Sequence, residues 1–275
     1  MPADRTAGQD GQRDPARVVV HLSDLHFGRV NALVVRALHD AVWELRPDVV
    51  AISGDLTQRA RRRQFLRARS FIDRLPSPHL IVPGNHDVPL FNVFARLLHP
   101  LGGYTRYITS DLAPTLSDGG IWMMGINTTR PATLKSGNID TAMLRQIEDA
   151  MRQAAPGATR ILVAHHPFDA GQPGRGTPAL EALISAGIDV FLTGHLHVSY
   201  TGHTAHRYLT SGRSAVVVEA ATATSTRLRR EANGFNVLRI ARDSIDVQTR
   251  TWDGRGFVIS SAETFSRGDA GWTGG

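Results

Sequence analysis

Two stretches of the sequence decide the fold: VVVHLSDLH at Val18–His26 and VVAISGD at Val49–Asp55. Each begins with an apolar, β-branched run that is typical of a buried strand, and each ends in carboxylate or imidazole side chains. Ala32–Leu45 lies between them and carries apolar residues at helical spacing. A strand, a helix and a second strand in this order predict a parallel βαβ unit with polar residues where its strands end.

The alternation of strands and helices continues through the first two-thirds of the chain and then stops. Further strands are predicted at Ile81–Val82, Ile121–Ile126, Ile161–Ala164, Val190–Thr193, Val216–Ala220, Phe235–Ile240 and Ile245–Thr251, and further helices at Thr141–Ala154 and Pro178–Ala186. The last strands follow one another without helices, which indicates antiparallel pairing. We therefore expect an α/β fold with a parallel first part.

Composition limits the class of protein. The chain has 275 residues, of which 41% are hydrophobic and 20% charged, so wholly disordered and fibrous classes are excluded. It has no cysteine, which excludes disulfide frameworks and thiol nucleophiles. No apolar run approaches the about 20 residues that span a bilayer. We expect a cytoplasmic protein with one domain at 17–267, a disordered polar segment at 1–16 and a flexible tail at 268–275.

The positive charge is confined to one segment. The formal net charge is +6, and Arg59–Arg74 alone holds seven arginines against one acid, Asp73. The rest of the chain carries 24 basic and 24 acidic residues. Apolar residues at helical spacing within the segment predict a helix with a buried stripe: Phe65, Ala68, Ile72 and Leu75.

Five short polar segments, each at the C-terminal end of a predicted strand, carry the candidate chemistry. They are Asp24-Leu25-His26, Gly54-Asp55, Gly84-Asn85-His86-Asp87, His165-His166-Pro167 and Gly194-His195-Leu196-His197. Each alone has an ordinary explanation as a turn or a strand end. Together they supply oxygen and imidazole donors at the edge where α/β sheets bind ligands, and such donors suit Mn, Fe, Co or Zn. The set therefore predicts a metal site.

The ordered set resembles the calcineurin-like metallophosphoesterases, whose signature is D-x-H, G-D, G-N-H-[D/E], H and G-H-x-H. All five blocks occur in that order between Asp24 and His197. The resemblance implies a four-layer αββα sandwich with two mixed β-sheets flanked by helices, and a dinuclear metal site at strand C-terminal ends. It also implies two divalent metal ions, Mn, Fe or Zn, as cofactors.

Carried over position by position, the resemblance implies seven metal ligands in two groups and a bridge: Asp24, His26 and His197 for one ion, Asn85, His165 and His195 for the other, and Asp55 between them. His86 would contact the scissile phosphate or protonate the leaving oxygen. Asp87 would support it by orienting its imidazole. Asn85 and His86 are thus the expected substrate-binding residues.

The implied reaction is the hydrolysis of a phosphodiester by a hydroxide that bridges the two metals. The blocks HLSDLHFG, SGDLT, VPGNHDV, HHP and GHLH are most similar to bacterial class III cyclic-nucleotide phosphodiesterases, so 3′,5′-cAMP is the expected substrate. The alternatives are a UDP-lipid pyrophosphohydrolase, another phosphomonoesterase or phosphodiesterase of this fold including a phosphoprotein phosphatase, a metal-dependent nuclease, and a non-catalytic scaffold. The 30 positions from His165 to His195 are enough for one helix and one strand, which counts against the lipid enzyme with its helical lipid-binding insertion. No ligand is missing, which counts against the non-catalytic scaffold.

A small anionic phosphoester is the expected partner, and Arg59–Arg74 has three explanations. It is a solvated face whose arginine stems cover apolar surface, a positive segment that attracts the substrate, or a peripheral contact with an anionic membrane. Nucleic acid is not expected, because no aromatic residues are interleaved with the arginines to stack on bases. A homodimer, and the function of a second basic group at Arg227, Arg229 and Arg230, are left open.

Overall fold

The computed structural model describes residues 16–90, 93–129, 139–168, 177–208, 212–226 and 231–274. In chain order, the strands are β1 (Arg17–Leu22), β2 (Val49–Ser53), β3 (His79–Val82), β4 (Thr115–Asp118), β5 (Ile121–Gly125), β6 (Thr159–Val163), β7 (Val190–Thr193), β8 (Tyr200–His203), β9 (Val216–Glu219), β10 (Gly234–Ile240), β11 (Ser244–Trp252), β12 (Phe257–Gly268) and β13 (Gly271–Gly274). The helices are α1 (Ala32–Leu45), α2 (Arg62–Ile72), α3 (Val93–Leu98), α4 (Gly102–Tyr107), α5 (Thr141–Met151), α6 (Pro178–Ala186) and α7 (Thr204–Arg207).

The strands form two mixed sheets. The first has the order β13-β12-β11-β10-β1-β2-β3, and the second has the order β4-β5-β6-β7-β9-β8. β1, β2 and β3 are parallel, as are β5, β6, β7 and β9. β10 to β13 pair antiparallel, and β10 joins them to β1. The parallel first part and the antiparallel pairing of β10 and β11 confirm the sequence prediction, whereas β9, from the last third of the chain, pairs parallel with β7.

Three apolar layers hold these elements together. Phe65 belongs to the layer between the first sheet and the helices α1, α2 and α4. Val19 and Val190 meet in the layer between the two sheets. Trp122 and Leu183 lie in the layer between the second sheet and the helices α5 and α6. The predicted four-layer αββα sandwich is therefore confirmed.

The C-terminal residues differ from their prediction. A flexible tail was expected at 268–275, but Gly271–Gly274 forms a strand on β12 and Trp272 is fully buried. The indole N–H of Trp272 donates to Asp189 Oδ1 at 2.9 Å, and the Arg267 guanidinium covers the indole ring at 4.5 Å. These long-range contacts order a segment whose own composition predicts no ordered structure.

The arginine-rich segment forms α2 with its apolar stripe inward. Phe65, Ala68 and Ile72 are buried, and most of the arginines are exposed. No helix in the described ranges is long and apolar enough to cross a bilayer. A disordered segment was expected at 1–16, and its positions 1–15 lie outside the described residues. Positions 227–230, which contain the second basic group, also lie outside them.

Candidate metal centre

The predicted ligands lie in the loops that leave the C-terminal ends of β1, β2, β3, β6 and β7. β1 to β3 belong to the first sheet, and β6 and β7 belong to the second. Because parallel strands end at the same edge of a sheet, the five loops meet where the two sheets face each other. The structure brings all seven ligand candidates together there.

Five of these residues have a left-handed backbone. Their φ angles are 53° at Asp24, 49° at His26, 53° at Asp55, 72° at His195 and 60° at His197. They make up five of the seven non-glycine residues with positive φ in the part of the chain that the structure describes. Such conformations are costly for L-residues, although Asp and His tolerate them better than most, and they concentrate at functional sites.

The first ligand group is Asp24, His26 and His197. Asp24 Oδ1 lies 3.0 Å from His197 Nε2 and 3.4 Å from His26 Nε2, and the two imidazole nitrogens are 3.0 Å apart. Two atoms that each lie about 2.1 Å from one ion can be at most ~4.2 Å apart, so all three fit around a single ion.

Asp24 has one satisfied oxygen and one unsatisfied oxygen. Oδ2 accepts hydrogen bonds from Ser23 Oγ at 2.7 Å and from the His195 backbone N–H at 2.9 Å. Oδ1 is buried and accepts no hydrogen bond from the described residues. A buried carboxylate oxygen without a donor is costly, and a cation between it and the imidazole nitrogens would offset this cost.

The second group is Asn85, His165 and His195, and Asp55 stands between the two groups. Asn85 Oδ1 lies 3.0 Å from both His165 Nε2 and His195 Nδ1. Asp55 Oδ1 is 3.4 Å from His165 Nε2, and its Oδ2 is 3.7 Å from His26 Nε2. Its two oxygens therefore face one group each, which is the placement a bridging carboxylate needs.

The carboxylates and imidazoles shift one another's pKa. Burial alone would raise the pKa of Asp24, but the His197 and His26 imidazoles hold that pKa well below its usual range. Burial opposes ionisation of Asp55 in the same way, and the His165 imidazole keeps its pKa low. Burial would lower the pKa of His165, whereas the Asp55 carboxylate raises it to about 9. Metal binding must therefore displace a proton from this cluster.

The chemistry of the donors fits two divalent ions. Each group combines imidazole nitrogen with oxygen, a carboxylate lies between the groups, and an unsatisfied oxygen points into the first. His165 Nδ1 lies 2.8 Å from the Ser53 carbonyl oxygen, which places a proton on Nδ1, so Nε2 is the atom that would bind an ion once its own proton is displaced.

His86 lies beside the first ligand group. Its ring packs edge-on against the His26 imidazole, with centroids 4.8 Å apart. Its backbone N–H donates to Asp55 Oδ1 at 2.7 Å, and its Nδ1 lies 2.8 Å from the Gln58 carbonyl oxygen. The contact at Nδ1 fixes the orientation of the imidazole ring beside the ligand groups.

Asp87 supports the site in a different way from the one predicted. The sequence suggested that it orients the His86 imidazole, and this is wrong, because Gln58 occupies that position. Asp87 instead accepts backbone N–H bonds from Leu56, Thr57 and Gly84 at 2.9–3.1 Å. Burial, together with the charge of Asp55, raises the pKa of Asp87 to about 6. It ties the loop after β2 to the loop after β3.

Sequence reasoning assigned no function to Gln58 or His166. Gln58 is buried, and its Nε2 also lies 3.2 Å from His86 Nδ1. His166 Nδ1 lies 2.9 Å from Thr128 Oγ1, and its ring centroid is 4.7 Å from that of His195. Burial lowers the pKa of His166 to about 2, so it is neutral. The doubled histidine of HHP was the one available signal for it, and Gln58 had none.

Comparison with known proteins agrees with this geometry. A sequence model of the calcineurin-like phosphoesterase family matches residues 17–199. The chain is 25% identical over 165 residues to glycerophosphodiester phosphodiesterase GpdQ of Enterobacter lignolyticus (strain SCF1), covering 56% of this chain and 58% of that one. It is 29% identical over 195 residues to a transmembrane protein with metallophosphoesterase domain from Danio rerio, covering 65% of this chain and 40% of that one.

The fold is also that of a solved phosphatase. Purple acid phosphatase PPD1 from yellow lupin (Lupinus luteus) seeds superimposes with a TM-score of 0.68 at 13% sequence identity, covering 92% of this chain and 54% of that one. The chain thus covers 58% or less of the length of each of these three proteins. The matched segment contains all seven candidate ligands. The protein belongs to the calcineurin-like phosphoesterase family.

Proposed function

We propose that this metal-dependent hydrolase cleaves small phosphodiesters and that 3′,5′-cAMP is one of them. The observation that carries the proposal is His86, an imidazole at the edge of the two ligand groups whose Nδ1 is fixed on Gln58. A proton donor in this position suits the departure of an alkoxide from phosphorus. The likeness to a glycerophosphodiester phosphodiesterase supports a diester substrate.

In the proposed reaction, some residues of the site hold the ions and others bind the substrate or donate a proton to it. When bound, the two ions activate a water as nucleophile and offset charge on the phosphoryl oxygens. Asp55 keeps the two ligand groups at a fixed separation, and Asn85 and His86 face the phosphate. His86 Nε2 gives its proton to the leaving oxygen, a contribution of about 10²–10⁴ in rate. Gln58 keeps the imidazole from turning away.

The test is a substrate panel with protein loaded either with Mn or with Fe and Zn. The panel compares 3′,5′-cAMP, 2′,3′-cAMP, bis-p-nitrophenyl phosphate, p-nitrophenyl phosphate, a UDP-lipid and single-stranded DNA. We expect the small diesters to be cleaved faster than the monoester, the UDP-lipid and the DNA. Absence of diester turnover under both loadings would contradict the proposal.

A glycerophosphodiester is the second candidate substrate, and the sequence likeness to GpdQ favours it. Glycerophosphoethanolamine in the same panel tests this candidate. Its faster turnover relative to 3′,5′-cAMP would assign the site to glycerophosphodiesters, whereas the reverse order would assign it to cyclic nucleotides.

A further inference from the structure

A groove of about 380 Å³ lies beside the metal centre, and arginines form most of its wall. Its lining comes from the loop after β1 and from the start of α2: Gly28, Arg61, Arg62, Arg63, Gln64 and Arg67. Gly28 is two residues beyond the ligand candidate His26, and α2 follows the loop that contains Asp55 and Gln58. The groove is therefore lined by residues that follow two of the site's loops in the chain.

The positive charge of this groove is not neutralised within the described part of the chain. None of its four arginines forms an ion pair with a described acid, and the single acid of the segment, Asp73, binds Arg69 at 2.7 Å at the far end of α2. Cations in the first turn of a helix add to the positive end of its dipole. No acid in the described part of the chain therefore offsets the charge of this groove.

Exposed apolar side chains lie on α2 itself and on the helices that precede α2 and α4 in the chain. Leu66 on α2 is 45% exposed and Leu33 at the start of α1 is 71% exposed. On α3 the exposed fractions are 81%, 63% and 70% for Phe94, Leu97 and Leu98. These five are the majority of the eight large apolar side chains that are exposed in the described ranges.

The helix α3 lies at the same end of the molecule as the arginines. It leads into α4 within four residues, and α4 begins where Gly103 packs so closely on the Phe65 ring that a Cβ there would overlap it. Phe65 belongs to the first turn of α2, and Arg69 near the end of α2 donates to the Ile108 carbonyl just past α4. The two helices therefore run in the same direction, with α3 beside the arginine end.

We propose that the arginine groove and the apolar side chains around it dock onto the headgroup region of an anionic lipid bilayer. Arginines near an anionic surface are attracted to it, and neighbouring apolar side chains enter the boundary with the acyl chains. Exposed aliphatic side chains add nothing to the binding of a nucleic-acid backbone, so the mixed surface favours lipid. Docking would hold the opening of the metal centre close to the membrane surface.

Vesicle co-sedimentation tests the proposal. The probes are vesicles of phosphatidylcholine with phosphatidylglycerol, and vesicles of phosphatidylcholine alone, at low and at physiological ionic strength. We expect binding to the anionic vesicles that weakens with salt. The triple variant Arg61→Gln, Arg62→Gln, Arg63→Gln should bind about 100-fold more weakly, since each basic side chain near such a surface contributes about fivefold. The pair Phe94→Ser, Leu97→Ser should weaken binding at both ionic strengths.

The matched control is Arg145→Gln on α5 with Arg152→Gln at the C-terminal cap of α5, in the helix layer on the opposite side of the sandwich, and it should bind as the wild type does. Thermal denaturation shows whether each variant folds, and Arg62→Glu alone replaces the triple variant if that one is unstable. Equal binding to both vesicle types, or equal binding by the arginine variants and the wild type, would overturn the proposal. So would tight binding of a single-stranded oligonucleotide that anionic vesicles do not displace.

Discussion

Two fully buried carboxylates, Asp24 and Asp189, have opposite surroundings. Asp189 immediately precedes β7 and accepts bonds from the Arg213 guanidinium at 2.5 Å, the Trp272 indole at 2.9 Å and the Arg160 backbone N–H at 2.9 Å. Asp24 lies near the other end of β7, where His195 follows the strand, and its Oδ1 faces imidazoles without a hydrogen bond from the described residues.

The difference separates a structural carboxylate from a binding carboxylate. Burying a charge costs several kcal/mol unless partners meet it. At Asp189 the fold supplies those partners from three distant segments, so the cluster holds the C-terminal strand in place. At Asp24 the fold supplies imidazole nitrogens and leaves one oxygen unsatisfied, so the partner must come from outside. Burial alone does not identify a site; at Asp24 the indication is an unsatisfied carboxylate oxygen that faces two imidazoles.

Replacing Asp55, the expected bridge between the two ligand groups, should have the largest effect on metal content and activity. Asp55→Ala separates the two ligand groups, so bound metal should fall below two ions per chain and the rate should fall more than ~10³-fold. Metal analysis and steady-state diester hydrolysis measure both on the same sample. A variant that keeps two ions and normal turnover would show that Asp55 is not the bridge.

His86→Ala should separate proton donation from metal binding. The turnover number should fall by about 10²–10⁴, because the leaving oxygen loses its acid, while two ions remain bound. The decisive comparison uses bis-p-nitrophenyl phosphate, whose leaving group needs little protonation, against 3′,5′-cAMP. The loss should be smaller for the former. Loss of metal from this variant would place His86 in the ligand set instead.

Replacing the structural carboxylate, Asp189→Ala, should lower the free energy of unfolding and leave the metal centre intact. Breaking a buried, hydrogen-bonded ion pair by removing one partner costs about 3–5 kcal/mol, since Arg213 and the Trp272 indole lose their acceptor. Denaturant unfolding measures the loss, and metal analysis below the unfolding transition should still find two ions. Loss of metal from a folded Asp189→Ala variant would show that the Asp189 cluster also supports the metal centre, so that the two carboxylates do not have separate functions.

A smaller effect is expected at His21, a buried group between the two sheets whose Nε2 lies 2.8 Å from Ser53 Oγ. Burial lowers its pKa from 6.5 to about 3. Between these values the unfolded chain binds a proton that the native chain does not, so stability falls as pH falls, by up to about 1.4 kcal/mol per pH unit. His21→Asn should reduce this slope in urea unfolding at pH 6 to pH 4 by roughly that amount. An unchanged slope would show that His21 does not titrate on unfolding.

Much of the site could be predicted because its ligands occur in short motifs at strand ends. The strand Val49–Ser53 and the Asp55 that follows it are adjacent in sequence, so local pattern places the carboxylate at the sheet edge. Gln58 could not be predicted in this way. It holds His86, 28 residues away, through a backbone carbonyl, which any residue type provides. The contacts of Asp87 are also to backbone N–H groups and leave no trace in side-chain type.

The same reasoning explains which strands were missed. The β-branched runs of β1, β2 and β7 are buried on both faces, and such continuous apolar runs can be recognised as strands in the sequence. β12 is mostly exposed, β13 is half exposed, and both contain threonine and glycine, so no apolar alternation marks them. Trp272 is fixed by Asp189, 83 residues earlier, and a contact at that distance is not visible in a local pattern.

The left-handed backbone at five candidate ligands has a consequence for the order in which the molecule becomes rigid. Each such residue costs about 1 kcal/mol or more, and hydrogen bonds such as that from the His195 backbone N–H to Asp24 Oδ2 offset only part of this cost until ions bind. The sheets and the Asp189 cluster can therefore form first, while the loops at 24–26 and 194–197 open most readily until ions bind. Amide hydrogen exchange in these two loops should slow on metal loading, and exchange within β7 should not change.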